Sequence, residues 1–237
     1  MEGYLDLKER TSVINLMKNK LLLQILSVII FSLLSCNSDK KKSRVEVLPY
    51  YNESSFTPLW QNNTTNPDLQ KLHQIPSFSL INQNNEIITE KTFENKIYVA
   101  DFFFTSCPGI CPKMTSNMKV LQKAFQDDDQ ILLVSHSVTP TYDTPQILKK
   151  YALNNDIMDS KWHLLTGTRD EIYELGRNQY FVEEDLGLEK TSDEFLHTEN
   201  FILVDMNRHI RGIYNGLNTN SINQLIADIK TLQKERN

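Results

Sequence analysis

The run of residues 97–104 most restricts what this 237-residue chain can fold into. It reads Ile-Tyr-Val-Ala-Asp-Phe-Phe-Phe, so β-branched and aromatic residues make it nearly continuous in hydrophobicity. A short run of this kind is typical of a strand that is buried on both faces of a sheet. Apolar residues at helical spacing follow between Met114 and Phe125, which predicts a helix over residues 108–125. A buried strand is therefore expected to lead directly into a helix.

Strand and helix patterns alternate through the rest of the chain. Short apolar runs predict further strands over residues 45–48, 56–60, 78–81, 131–134, 162–165, 201–204 and 210–214. Helical spacing and cap signals predict further helices over residues 143–152, 168–176 and 221–234. Either Asp143 or Thr144 is expected to cap the first of these helices, and Gly176 to close the second. This order predicts an α/β fold with a central sheet flanked by helices.

The composition excludes several classes of protein. Hydrophobic residues make up 40% of the chain and charged residues 23%, which argues against wholesale disorder or a coiled coil. The formal net charge is −5, so no basic field indicates a nucleic-acid partner. Three cysteines are too few for a disulfide framework, and their odd number requires an explanation for each one.

The N-terminus carries the parts of a secretory signal. Lys18 and Lys20 precede an apolar run over residues 21–34, which is shorter than the roughly 20 residues of a comfortable membrane span. The run closes with Leu-Leu-Ser-Cys, ending at Cys36, which resembles a bacterial lipoprotein signal. Residues 1–35 are therefore predicted to be a signal peptide, and a natural start at Met17 would make residues 1–16 an over-extended gene start.

Cys36 is accordingly the predicted lipidation site of an exported chain, held on a membrane of the cell envelope and facing the periplasm. An uncleaved N-terminal anchor with an incidental cysteine is the alternative. Residues 36–44 form a predicted solvated tether, whose lysines either suit an anionic lipid surface or belong to a plain spacer. Residues 45–76 are a predicted lead-in with one or two short strands, and residues 77–237 are the predicted main domain.

Cys107 and Cys111 lie where the buried strand meets the helix, in the sequence Cys-Pro-Gly-Ile-Cys. A helix N-terminus lowers the pKa of a thiol, because its unpaired N–H groups stabilise the thiolate. The spacing also places both sulfurs on one helical face if the helix begins by Cys107. Two adjacent thiolates can bind a soft metal, of which copper(I) is among the best suited, or oxidise to a disulfide. A purely structural disulfide is the plainer alternative.

The segment Phe-Phe-x-Thr-x-Cys-Pro-x-x-Cys-Pro over residues 102–112 resembles the SCO/SenC family of copper chaperones for cytochrome c oxidase. The resemblance continues in Val-Thr-Pro-Thr-Tyr-Asp-Thr-Pro at residues 138–145, Leu-Thr-Gly at 165–167 and Leu-His-Thr at 196–198. It spans residues 72–232. It implies a thioredoxin-like fold in which one copper is held by Cys107, Cys111 and His197.

That resemblance also implies a partner, the copper-accepting subunit of a respiratory oxidase, and we expect a monomer. Two family features are missing. The family commonly has Asp before the histidine, where this chain has Leu196, and its usual Asp-Pro-Glu-Arg reads Thr-Pro-Thr-Tyr over residues 139–142. These departures concern the tuning of the site, the docking of the partner or redox behaviour more than metal binding itself.

His197 has a further argument in its favour. A loop entering the strand at 201–204 would lie beside the cysteine helix in a thioredoxin-like sheet, where thiol oxidoreductases of that fold usually carry a cis-proline. No proline occurs between Thr191 and Phe201. An imidazole in that place favours metal coordination over thiol exchange. Two thiolates and one imidazole would make a trigonal Cu(I) site, and Cu(II) would usually need a fourth ligand.

The other soft or basic side chains receive plainer interpretations. His136 is a second-choice ligand because it ends a strand, whereas His73 is expected on the surface, His163 in packing and His209 by a hairpin turn. Met114 and Met118 have thioether sulfurs, but their spacing is that of a core stripe. The acidic run 127–129 is expected in a solvated loop.

The sequence thus predicts a membrane-tethered copper metallochaperone, a binding and transfer protein rather than an enzyme. The alternative is an exported thiol:disulfide reductase that keeps a partner's copper-binding cysteines reduced, with Cys107 and Cys111 as the redox pair and Cys107 as the nucleophile. A peroxidase of the same fold class is a weaker third possibility, because no arginine occurs in the cysteine motif.

Overall fold

The computed structural model describes residues 17–20, 24, 42–60, 71–183, 196 and 198–235. The chain divides into two compact units, residues 1–40 and residues 41–237. In the first unit the described residues are helical. Across the described parts of the chain, no helix combines the length and apolar character that a bilayer crossing requires. Cys36 and most of the predicted signal peptide lie outside the described residues, so both stay predictions.

In the described part of the second unit, one sheet contains nine strands, ordered β2-β1-β9-β8-β5-β6-β7-β3-β4. Strands β5, β6 and β7 at its centre are parallel, and every other neighbouring pair is antiparallel. The strands are β1 Tyr50–Tyr51, β2 Pro58–Leu59, β3 Ser79–Asn82, β4 Ile87–Thr89, β5 Ile97–Phe103, β6 Ile131–Ser137, β7 Trp162–Thr166, β8 Asn200–Val204 and β9 Ile210–Asn215. All residues of β5 are buried, as its apolar run predicts.

Helices cover both faces of this sheet. The α-helices are α1 Cys111–Ala124, α2 Pro145–Asn154, α3 Arg169–Glu174 and α4 Thr219–Glu235, with a 3-10 helix at Glu90–Phe93 and a π-helix at Leu175–Gln179. Alternate residues of β5 point to opposite faces. One face packs against α1, α2 and α4, and the other packs against α3 and the π-helix. The predicted α/β fold with a thioredoxin-like central sheet is confirmed.

Local chemistry explains where two helices begin. Thr144 accepts a hydrogen bond from the backbone N–H of Ile147 at 3.4 Å, and Pro145 occupies the first turn of α2. Thr144, not Asp143, is therefore the cap of that helix. Thr168 caps α3 in the same way. The prediction that Gly176 ends this helix is wrong, because the chain continues through Gly176 in a π-helical turn.

The lead-in belongs to the sheet. The strand predicted within residues 56–60 forms as β2, whereas the other strand forms at β1 rather than at residues 45–48. Strand β1 pairs with both β2 and β9. Buried Arg211 of β9 holds this segment, since its guanidinium donates to the carbonyl oxygens of Leu48 at 2.7 Å and Pro49 at 3.0 Å. The same guanidinium pairs with Asp205 at 3.2 Å and Glu235 at 2.6 Å. One buried cation thus joins the N-terminal segment, the β8–β9 hairpin and the last helix.

Candidate metal centre

The two cysteines flank the start of helix α1 at the carboxyl end of β5. Helix α1 begins at Cys111, whereas Cys107 lies in the loop of residues 104–110 that precedes it. The prediction of a helix from residue 108, with both sulfurs on one helical face, is therefore wrong. The loop nevertheless brings the two thiols close enough for each to change the pKa of the other. Cys111 is buried in the core and Cys107 is half-buried, and both are free thiols.

The environment makes the two thiols unequal. Burial acts to raise the pKa of Cys107, but hydrogen bonds from the Cys111 thiol and from backbone N–H groups of Cys111, Gly109 and Ile110 outweigh it and lower the pKa. Burial, together with the contact with Cys107, raises the pKa of Cys111 to about 12. Backbone N–H groups of the loop and of the first residue of α1 thus stabilise the thiolate of Cys107. Of the two thiols, Cys107 is the less buried and the one whose pKa is lowered.

A buried carboxyl group lies on the same face of β5 as the cysteine helix. Asp101 is 2% exposed and accepts a hydrogen bond from the hydroxyl of Ser135, which accepts one in turn from the indole N–H of Trp162 at 2.8 Å. Burial raises the pKa of Asp101 to about 7, against the opposing effect of the Ser135 hydrogen bond. The charge of Asp101 also contributes to the raised pKa of Cys111.

His197, the third predicted ligand, lies outside the described residues. Its neighbours are described: Leu196 is fully buried in the core, and Thr198 donates from its hydroxyl to the carbonyl oxygen of Val182 at 2.7 Å. At position 196, where the resembled family commonly has a carboxylate, this chain therefore has a leucine side chain buried in the core. Among the residues that the structure describes, no group of three His, Cys, Asp or Glu side chains forms a metal site.

The remaining histidines do not join the cysteines. His136, the second-choice ligand, is fully buried on the opposite face of the sheet, where its ring stacks on Phe102 with centroids 4.8 Å apart. This position rules it out as a partner of Cys111. Burial also lowers the pKa of His136 to about 3. His163 packs edge-on against Phe93 and His209 lies at the β8–β9 turn, both as predicted.

Three other predictions have clear outcomes. His73 is half-buried rather than exposed, because its ring nitrogen Nε2 bonds the carbonyl oxygen of Gln179 at 2.7 Å. Met114 and Met118 are fully buried core residues, as their spacing predicts. The acidic run 127–129 lies in the loop before β6, with its first and last residues exposed.

Sequence reasoning missed two buried carboxyl groups near the cysteines, Asp101 and Asp143. For Asp101 the signal was present, since a charged residue inside a strand buried on both faces has to be neutralised or hydrogen-bonded. The local sequence of Asp143 is that of a helix cap, and its bond to Thr105, 38 residues away, cannot be read from that sequence. Chemically, the site can supply a reactive thiolate at Cys107 and a second sulfur at Cys111 for a soft metal or a disulfide.

A thioredoxin-like domain with a cysteine pair at a strand-to-helix junction belongs to a class whose members use the pair for thiol exchange or metal binding. The sequence profile of the SCO1/SenC family matches residues 66–234. The chain belongs to the SCO1/SenC family.

Solved structures agree with this assignment. The chain is 30% identical to a SCO1/SenC family lipoprotein from Bacillus anthracis, with a TM-score of 0.60 over 68% of this chain and 95% of that one. It is 30% identical to BsSco, a member of the Sco family of cytochrome c oxidase assembly proteins in which a disulfide switch is identified (TM-score 0.58; 68% and 94% covered). It is 25% identical to Bradyrhizobium japonicum ScoI with copper bound (TM-score 0.52; 67% and 97% covered).

Proposed function

We propose that this protein is a copper metallochaperone that delivers copper to the copper centre of a cytochrome c oxidase. The observation that carries the proposal is the meeting of Cys107 and Cys111, one thiol with a lowered pKa and one buried, at the carboxyl end of the central strand. Thiolate sulfur is the donor that Cu(I) prefers. The copper-bound ScoI structure and the oxidase-assembly role of BsSco support the same cargo and the same recipient class.

The proposed copper ligands are Cys107, Cys111 and His197. The half-buried Cys107 presents its sulfur to solvent and to a partner, whereas Cys111 is fixed in the first turn of α1. A site with one sulfur at the surface suits a protein that must release its metal. The imidazole completes a trigonal Cu(I) site, whose low coordination number allows a partner thiolate to enter during transfer.

The test is a Cu(I) titration of the purified protein against a chelating competitor. Wild type is expected to bind one equivalent tightly, and Cys107→Ser, Cys111→Ser and His197→Ala should each weaken binding strongly. His73→Ala is the matched control, since His73 bonds the carbonyl oxygen of Gln179 and should leave copper affinity unchanged. Wild-type affinity in the His197 variant would contradict the three-ligand site.

We further propose that Cys36 carries a lipid that tethers the domain to a membrane of the cell envelope, facing the periplasm. The apolar run before Cys36 and its Leu-Leu-Ser-Cys ending support this, as does the similarity to a family lipoprotein. Cells fed labelled palmitate should incorporate the label into wild type but not into Cys36→Ser. Label in the Cys36 variant, or none in wild type, would contradict the anchor.

A second function, an exported thiol:disulfide reductase, is favoured by the unequal thiols. A nucleophile of lowered pKa followed by a buried partner of raised pKa is the arrangement that disulfide exchange uses. Exchange needs Cys107 and Cys111 but not the imidazole. Reduction of a disulfide-linked copper-site peptide should therefore survive in His197→Ala if the protein is a reductase, whereas Cu(I) binding should not if it is a copper carrier.

A further inference from the structure

The loop of residues 104–110 is tied to the rest of the domain at Thr105, next to Phe104, which packs against the core on both faces of the sheet. The carboxylate of Asp143 accepts hydrogen bonds from the Thr105 hydroxyl at 2.5 Å and from the Thr105 backbone N–H at 3.2 Å. The same carboxylate accepts from the hydroxyls of Ser137 at 2.6 Å and Thr139 at 3.0 Å. Four hydrogen bonds on one carboxylate thus tie the cysteine loop to the end of β6.

Asp143 connects two separate segments of the chain through one buried side chain. Its side chain is 0% exposed, and a buried carboxylate is costly unless its oxygens are satisfied. It does not cap helix α2, because Thr144 does. The four donors lie in the loop after β5, at the last residue of β6 and in the loop after β6, at the carboxyl ends of two neighbouring parallel strands where α/β proteins place their sites.

The two cysteines differ in how they are held. Cys111 is the first residue of α1, whose next turns are fixed by the fully buried Met114 and Met118. Cys107 lies in the loop, and its backbone N–H makes only a long hydrogen bond of 3.3 Å to the carbonyl oxygen of Phe104. Thr105 is two residues before Cys107. The Cys107 sulfur accepts hydrogen bonds from backbone N–H groups of Gly109, Ile110 and Cys111 on the C-terminal side of the loop. Thr105 fixes the N-terminal side of the same loop, so both sides together set the position of Cys107.

We propose that Asp143 is a positioning residue that fixes Cys107 through Thr105, so that the cysteine pair is pre-arranged to receive copper. This inference rests on the proposed function. Asn at position 143 keeps the size of the side chain but offers one acceptor oxygen in place of two. Its NH₂ group faces a hydrogen-bond donor and cannot accept from it. Residues that hold a metal ligand in position without touching the metal typically contribute about 10–100-fold to metal affinity.

The experiment measures Cu(I) affinity by chelator competition for wild type, Asp143→Asn, Thr105→Val, the double variant and Thr105→Ser. Asp143→Asn and Thr105→Val should each weaken binding, the former by about 10–100-fold. The double variant should be no weaker than Asp143→Asn alone, because both changes remove one shared interaction. Thr105→Ser keeps both donors and should retain wild-type affinity. The metal-free cysteine couple should also become easier to reduce in Asp143→Asn.

Asp228→Asn is the control for general loss of stability. Asp228 is a buried carboxylate that accepts hydrogen bonds from Tyr214 and Gln224, both at 2.8 Å, so its variant should be less stable but bind copper normally. Wild-type affinity in Asp143→Asn, or equal weakening in Asp228→Asn, would overturn the positioning role. Absence of Cu(I) binding by wild type would instead overturn the proposed function. In that case the reduction potential tests the positioning role by itself, and an unchanged potential in Asp143→Asn would overturn it.

Discussion

Replacing Asp101 by Asn should change how the stability of the domain depends on pH. Burial raises the pKa of this carboxyl group to about 7, from an ordinary value of 3.8. Between these two values the folded state holds a proton that the unfolded state has lost, so stability falls as pH rises through this window. A shift of this size corresponds to about 4 kcal/mol, which is fully present below pH 4 and lost above pH 7.

The assay is urea unfolding of the metal-free, reduced protein at several values between pH 4 and pH 8. Asn keeps an acceptor for the Ser135 hydroxyl and cannot ionise, and any cost of its NH₂ group is the same at every pH. The free energy of unfolding of Asp101→Asn, relative to wild type, should therefore rise by about 4 kcal/mol from pH 4 to pH 8.

Asp205→Asn provides a control of opposite sign. Burial acts to raise the pKa of Asp205, but hydrogen bonds from His209 and the charge of Arg211 outweigh it and lower the pKa. Removing Asp205 should therefore cost more stability at neutral pH than in acid. A difference between Asp101→Asn and wild type that stays constant from pH 4 to pH 8 would refute the reasoning about Asp101.

Three further outcomes follow from the same contacts. Iodoacetamide at neutral pH should label Cys107 at least about tenfold faster than Cys111, as read by peptide mass spectrometry, and equal rates would contradict the assigned nucleophile. Burial lowers the pKa of His136 to about 3, so the free energy of unfolding should fall by up to about 5 kcal/mol as pH drops from 6.5 to 3. In His136→Leu, urea unfolding over the same pH range should show little of that fall. Arg211→Met should lower the free energy of urea unfolding by about 3–5 kcal/mol, since it leaves buried acceptors unpaired, whereas Lys119→Met, from an exposed ion pair, should change it by less than about 1 kcal/mol.

The parts of the fold that depend on local pattern could be predicted from the sequence. The apolar run at β5 and the stripe containing Met114 and Met118 specify a buried strand and its following helix, and both are present. Prediction failed where contacts distant in sequence decide the structure. Tyr50–Tyr51 forms a strand by pairing with β2 and with β9, and nothing in the local composition indicates the distant partner β9.

The site divides in the same way. The spacing of Cys107 and Cys111 was sufficient to identify the pair, but not the start of the helix, because the prolines and glycine around the pair suit either a helix or a turn. Asp143 was recognised as a candidate cap because its sequence neighbours are those of a helix start. Its actual role depends on Thr105, which only the folded sheet brings next to it.

The most direct test of the central claim is the X-ray absorption spectrum of the Cu(I)-loaded protein at the copper edge. Two sulfur ligands and one nitrogen ligand are expected, with the sulfur shell reduced in Cys107→Ser and the nitrogen lost in His197→Ala. A copper shell with fewer than two sulfurs, or one that is unchanged in the His197 variant, would contradict a site formed by Cys107, Cys111 and His197.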